Sequence, residues 1–268
     1  MQYGMSEVGF PHEDLDRSFE CLAAAGYHGV EIKVTEDRLE DPTQLDRLQD
    51  LAREHDLTIP IVIANAGQGG PLGHPDEDIR GDRVETATDL IAEVSRTLDD
   101  VETILVVPGG VSEEIPYDTA YENARRSLET IDDVAADHGV NIGIENVWNR
   151  FLLSPLEFAS FIDDVSQRGA VGAYFDVGNV MQYGYPQQWI DILGERIEKI
   201  HVKDFQADIG NIRGFTYPTQ GDVPWDAVRD SLHELSYDGW ITVEVSPYPT
   251  NPHEMPAHVL DNLKDVFS

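Results

Sequence analysis

An α/β chain closed into a single (β/α)8 barrel is predicted by three observations: a length of 268 residues, short β-branched runs alternating with amphipathic stretches of about ten to eighteen residues, and a count of eight such runs. The expected strands are Gln2–Met5, Gly29–Val34, Ile59–Ala64, Thr103–Val107, Asn141–Asn146, Gly172–Asp176, Lys199–Lys203 and Trp240–Val245. Between and after them, helices are expected at Glu13–Ala25, Pro42–His55, Arg83–Leu98, Tyr117–His138, Ser154–Val165, Pro186–Arg196, Pro224–Leu235 and Met255–Val266. Asp41-Pro42, Ser154-Pro155 with Glu157, and Tyr185-Pro186 place a proline at a helix start, where its missing N–H costs nothing. Gly26, Gly139, Gly169 and Gly239 stand between a helix and the next strand, where a left-handed cap is expected. No linker or low-complexity stretch breaks the rhythm, so residues 1–268 read as one domain. Two connections are longer than turns require, 67–82 after strand three and Phe205–Val223 after strand seven. Both fall at the carboxyl ends of strands, the face on which barrels build their sites.

The formal net charge is −33, from 51 acidic and 18 basic residues, and only Lys33, Lys199, Lys203 and Lys264 are lysines. Acidic residues spread through every segment imply a high-salt (halophilic) cytoplasm, where screening removes the self-repulsion. Nucleic acid is excluded as a partner, because phosphate binding needs a concentrated basic surface. There is no 18-residue apolar run and no apolar signal segment at Met1–Phe10, so no membrane partner and a cytoplasmic location are expected. Cys21 has no second cysteine to pair with and falls in an amphipathic helix, where an inert thiol is expected.

The chemistry concentrates in the second half. VNIGIENV, VGAYFDVGN, IEKIHVKDF and WITVEVSP each carry a metal-capable side chain toward the end of a β-prone run: Glu145, Asp176, His201 and Glu244. The gaps of 31, 25 and 43 residues each hold a helix, so the four come from successive strands and converge over one barrel mouth. A lone carboxylate after a strand is usually a helix cap, and a lone strand histidine is usually satisfied in the core. Glu145 and Glu244 do not fit that reading, since an unpaired charge in an apolar strand costs on the order of several kcal/mol. One divalent cation resolves the cost, and three carboxylates with one imidazole suit Mn²⁺, Mg²⁺ or Co²⁺ better than structural zinc.

The segments GYHGVE (Gly26–Glu31), PLGHPDE (Pro71–Glu77), IENVWNRF (Ile144–Phe151), FDVGN (Phe175–Asn179), IHVKD (Ile200–Asp204) and GDVPW (Gly221–Trp225) resemble the xylose-isomerase-like TIM-barrel superfamily of sugar isomerases and epimerases. Ketose 3-epimerases and the L-ribulose-5-phosphate and L-xylulose-5-phosphate 3-epimerases belong to that superfamily. The resemblance runs through nearly the whole chain. It implies that Glu145, Asp176, His201 and Glu244 hold the metal, and that Glu145 and Glu244 are also the acid–base pair. One removes the C3 proton of a ketose and the other returns a proton from the far side, through a cis-enediolate. Where free-ketose enzymes carry a Glu after N-R-F and a His three residues after the metal Asp, this chain has Leu152 and Asn179, which draws the resemblance toward the sugar-phosphate members. Lys203, Arg213 and the loop Gly210–Gly214 are the phosphate donors then expected, with Asn179, Glu31 and His74 as further substrate contacts. Trp148 and Tyr174 are candidate pocket walls, and Asn146 and Asn149 candidate donors.

The reading that follows is an isomerase on a sugar or sugar phosphate, a ketose(-phosphate) 3-epimerase before an aldose–ketose isomerase. An inosose-type dehydratase uses the same α-proton removal and is the alternative. A multi-zinc abasic-site endonuclease is excluded by nine histidines and the acidic charge; a non-catalytic binding barrel stays a further alternative, against which the four costly charges argue. The family resemblance also implies a homo-oligomer, a dimer or tetramer.

Overall fold

The computed structural model describes residues 1–11, 14–64 and 71–268. Eight strands close into one barrel: β1 (Gln2–Ser6), β2 (Gly29–Val34), β3 (Thr58–Ala64), β4 (Thr103–Val106), β5 (Asn141–Glu145), β6 (Val171–Asp176), β7 (Ile197–Val202) and β8 (Trp240–Val243). Each pairs in parallel with its neighbours in sequence, and β1 meets β8 through Gln2↔Trp240 to Met5↔Val243, leaving no edge. The strands are nearly continuous apolar runs because each is covered on its outer face by a helix and on its inner face by the barrel core.

The outer ring is α1 (Leu15–Ala25), α2 (Thr43–Glu54), α3 (Glu77–Thr97), α4 (Tyr117–His138), α5 (Pro155–Val165), α6 (Pro186–Leu193), α7 (Trp225–Glu234) and α8 (Met255–Phe267). In α4 the buried residues Ala120, Ala124, Leu128, Ile131 and Ala135 recur at helical spacing, and Asp118, Asp133 and Asp137 are exposed, while Asp132 is buried and accepts from Ala170 N at 3.0 Å. Inside the barrel a small separate cluster, Ile61, Leu105, Tyr174 and Trp240, fills the space beneath the mouth.

Four expectations need correction. The helix expected from Arg83 starts at Glu77, because the Asp76 carboxylate caps it, accepting from Asp78 N at 3.0 Å and Ile79 N at 3.4 Å. Gly81, taken as loop, is therefore helical, and the strand-three connection is shorter than 67–82; its residues 67–70 lie outside the described residues, as does Glu13 at the expected start of α1. Gly26, Gly139 and Gly169 do adopt positive φ, but before β8 it is Ser236 (φ 57°) that does so, and Gly239 does not. A five-residue helix, Glu36–Glu40, follows β2. In the strand-seven connection, Asp204–Phe205 pairs antiparallel with Phe215–Thr216, so this loop is a hairpin. Among the described residues no helix is long and apolar enough to cross a membrane.

Candidate active site

Side chains alternate across each strand, so Glu145, Tyr174, Asp176, His201 and Lys203 point into the barrel, and the register Asp176↔His201 and Glu145↔Tyr174 sets them side by side. Glu244 lies one residue past β8, yet its N–H still donates to Val202 O at 3.1 Å and so continues the ladder. One donor atom from each of Glu145, Asp176, His201 and Glu244 lies within 4.8 Å of the others. The residues that the sequence places on four separate strands are therefore brought to one point.

Asp176 is held on all sides but one. Its N–H donates to Asn146 Oδ1 at 2.8 Å, its carbonyl accepts from Asn146 Nδ2 at 2.9 Å, and its Oδ1 caps the one-turn helix Val177–Val180 by accepting from Asn179 N at 2.7 Å. Asn179 Nδ2 donates back to Asn146 O at 2.9 Å. Asp176 Oδ2 is fully buried and accepts no well-formed hydrogen bond; Lys203 Nζ faces it at 2.7 Å and His201 Nδ1 at 3.9 Å. The Lys203 ammonium is thus the positive charge that offsets the burial of this oxygen.

His201 is entirely buried between two carboxylates. Its Nδ1 faces Glu145 Oε1 at 3.2 Å, and its Nε2 faces both Glu31 oxygens at 2.9 and 3.0 Å. Burial pushes the Glu145 carboxyl up to about 7, against the pull of His201 and with the help of the Glu244 charge. Burial acts to raise Glu244 too, but the Lys203 ammonium and His201 outweigh it and hold this carboxylate below its ordinary value. Burial lowers His201, yet Glu31 and Glu244 overcome it and hold the imidazole well above its ordinary value. Burial thus pushes the Glu145 carboxyl up while Lys203 and His201 hold Glu244 down.

Glu145 and Glu244 line a cleft of about 590 Å³, walled by Val147, Trp148, Ile212, Phe215, Tyr217 and Val245, with Asp176 and His201 buried beside them. The Trp148 indole is fixed by donating to Asn179 O at 2.8 Å and stands 4.8 Å from the Phe215 ring, centroid to centroid. The hairpin that carries Phe215 is anchored by Asp204, the last residue of the IHVKD segment. Its carboxylate is buried and accepts from Phe205 N (2.8 Å), Val223 N (3.0 Å) and Trp225 Nε1 (2.8 Å). Gly221 packs so closely on Asp204 that a Cβ there would strike the carboxylate. The GDVPW segment is the other half of that anchor. Asp204→Ala orphans three buried donors and is expected to cost on the order of 3 kcal/mol, read as a lowered denaturation midpoint; an unchanged midpoint contradicts the assignment.

The remaining candidates separate. Lys203 lines the cleft, but its ammonium is paired with Asp176 and, at very short range, with Glu244, and lies 5.1 Å over the Phe215 ring. Asn179 also lines the cleft, whereas Arg213 is exposed and does not; its neighbour Ile212 does. His74 is half-buried beside the start of α3, accepting from Asp76 N at 3.0 Å, and is not part of the cleft lining. Glu31 is fully buried behind His201, and Tyr174 is a barrel-core residue whose hydroxyl donates to Glu31 at 2.6 Å. Asn146 is spent on Asp176, and Asn149 donates to Gly109 O.

The donor set fits one divalent cation: three carboxylates and an imidazole nitrogen within 4.8 Å of one another suit a hard or borderline ion, which would take the place of the Lys203 ammonium on Asp176 Oδ2.

Comparison with known proteins agrees with this architecture. The chain is 27% identical over 253 residues to an uncharacterized protein of Methanocaldococcus jannaschii, covering 91% of this chain and 83% of that protein. It is 23% identical over 290 residues to an inosose dehydratase of Lacticaseibacillus casei, covering 95% and 93%. Among solved structures, D-psicose 3-epimerase with D-tagatose from Clostridium cellulolyticum H10 superposes over 100% of both chains with a TM-score of 0.82 at 17% identity. The IolI protein with a bound zinc atom does so over 100% of this chain and 98% of its own, with a TM-score of 0.83 at 20% identity. The family model described as xylose isomerase-like TIM barrel matches residues 19–266, and the chain belongs to that family.

Proposed function

We propose that this protein is a divalent-metal-dependent epimerase that inverts C3 of a ketose by proton transfer through a cis-enediolate. The observation that carries the reading is the convergence of Glu145, Asp176, His201 and Glu244 on one point, with Glu145 and Glu244 lining a cleft of about 590 Å³. Held by the four, a divalent cation supplies the positive charge that an enediolate needs as it forms. The proton work belongs to the chain. Glu244 takes a proton from the carbon next to the carbonyl, and Glu145 returns one from the other side; the reverse reaction exchanges the roles. Trp148 and Phe215 offer aromatic faces to the C–H surface of the sugar and exclude water from it. Arg213, one of the expected phosphate donors, is exposed and outside the cleft, which favours an unphosphorylated ketose; Lys203 lines the cleft but is paired with Asp176 and Glu244 in the metal-free protein.

A second reading, dehydration of an inosose-type keto-polyol, is favoured by the inosose dehydratase relative matched over 95% of this chain. It shares the first proton removal and differs in losing a β-hydroxyl. Proton NMR in D₂O with Mg²⁺ and a panel of ketoses, their phosphates and inososes tests both. Deuterium at C3 with a new diastereomer supports the epimerase; a deoxy-diketone product without a diastereomer replaces it with the dehydratase.

The net charge of −33 supports the reading of a high-salt cytoplasm. Thermal unfolding followed by circular dichroism is expected to shift to higher temperature as KCl rises from about 0.1 M to about 1 M, where the Debye length falls to about 3 Å. A midpoint that does not rise over that range contradicts it.

A further inference from the structure

The imidazole of His201 has a carboxylate on each nitrogen, and this poses a choice with chemical consequences. A neutral imidazole carries one proton. On Nδ1, that proton points at Glu145 Oε1, 3.2 Å away, and closes this nitrogen to a cation. On Nε2, it points at Glu31 and leaves the Nδ1 lone pair directed at Glu145 and Asp176, where the quartet converges.

The surroundings of Glu31 are built to win that choice. Glu31 presents both oxygens to Nε2, at 2.9 and 3.0 Å, closer than Glu145 stands to Nδ1. Its Oε2 also accepts from the Tyr174 hydroxyl at 2.6 Å, and Glu31, Tyr174 and His201 are all fully buried. The Tyr174 ring lies 4.3 Å from the imidazole, centroid to centroid, and limits its rotation. Space for that ring exists because residue 143, on the adjacent strand, is glycine: a Cβ there would sit 3.0 Å from Tyr174 Cβ and Cδ2. Glu31 lies on β2 and is absent from the cleft lining, so it does not face substrate from this position.

We propose that Glu31 is a positioning residue: clamped by Tyr174, it fixes the His201 proton on Nε2 and so keeps Nδ1 open as a metal ligand. The proposal rests on the reading of the quartet as a cation site. It adds that the quartet binds only as well as a carboxylate on the far side of the barrel orients its histidine.

The test uses the full chain and reads metal binding and proton position, not turnover. Calorimetric titration with Co²⁺ is expected to give a Kd about 10–100-fold weaker in Glu31→Gln than in wild type, and a smaller weakening in Tyr174→Phe, which keeps the Glu31 carboxylate and removes its clamp. Nitrogen-15 NMR of the Zn²⁺-loaded wild type is expected to show the His201 proton on Nε2. In metal-free Glu31→Gln at alkaline pH the proton is expected on Nδ1, where Glu145 accepts it. Unchanged Co²⁺ affinity together with an unchanged proton position in Glu31→Gln overturns the proposal. Should the wild type itself bind no Co²⁺, the quartet reading falls, and the metal-free spectra still decide the role of Glu31: a proton that leaves Nε2 in Glu31→Gln supports it, and one that stays overturns it. Tyr174→Phe serves as the readout if Glu31→Gln does not fold.

Discussion

Glu145→Gln is expected to lower turnover by about a thousand-fold or more, within the 10²–10⁴ range of a lost general acid–base with the loss of a charged ligand added, while the unfolding transition survives. Glutamine keeps the shape and removes both the charge and the exchangeable proton. Glu244→Gln is expected to do the same. The two variants also separate proton transfer from metal holding. In a two-base epimerase each glutamate serves one epimer, so a variant that still binds the cation exchanges the C3 proton of a single epimer with solvent and does not invert it. If a glutamate only holds the cation, exchange is lost from both epimers together. Near-full activity in either variant removes that residue from the mechanism. The measurement is deuterium incorporation into each purified epimer by proton NMR.

Removal of the cation is expected to abolish activity, and its return is expected to depend on pH in a defined direction. In the metal-free protein burial raises Glu145 to about 7, and neighbouring carboxylates hold His201 well above its ordinary value, so both carry protons on the acid side of neutrality. A cation displaces those protons, and affinity therefore rises with pH, by about tenfold per unit for each proton released. Between pH 6 and pH 8 calorimetry in buffers of different ionisation enthalpy is expected to show that release, and its absence contradicts the assignment of Glu145 and His201 as ligands. The same shift has a stability consequence of fixed sign. A carboxyl whose folded value lies above its unfolded one contributes most below the unfolded value of about 4.5, and that contribution is lost as pH rises toward about 7. The metal-free protein is thus expected to weaken over that interval, and added cation to restore it. The cation must also compete with the Lys203 ammonium for Asp176 Oδ2 and Glu244.

Much of this was legible in the sequence because the barrel imposes a simple rule: a polar residue ending an apolar strand lands at the mouth. Glu145, Asp176 and His201 follow it at strand ends, and Glu244 one residue beyond, so four short segments sufficed to bring them together. Contacts across the barrel obey no local pattern. Nothing near Glu31 states that it meets His201, 170 positions away, instead of substrate, or that Lys203 reaches Glu244 across 41 positions. The strand-seven connection was read as a glycine-bearing phosphate loop with Arg213 at its centre. Its conformation is set by Asp204 and Trp225 at its base, which form a hairpin that turns Ile212 and Phe215 to the cleft and leaves Arg213 exposed. The start of α3 was missed for a local reason, since Gly81 and the acidic run before it resemble a turn until Asp76 is seen as a cap.

The most direct test of the account is anomalous diffraction at the manganese edge from crystals of the protein soaked in Mn²⁺. A peak is expected among the carboxylate oxygens of Glu145, Asp176 and Glu244 and Nδ1 of His201, with the Lys203 ammonium moved off Asp176 Oδ2. Saturating Mn²⁺ with no peak among these four residues, and Lys203 still seated on Asp176, would contradict it.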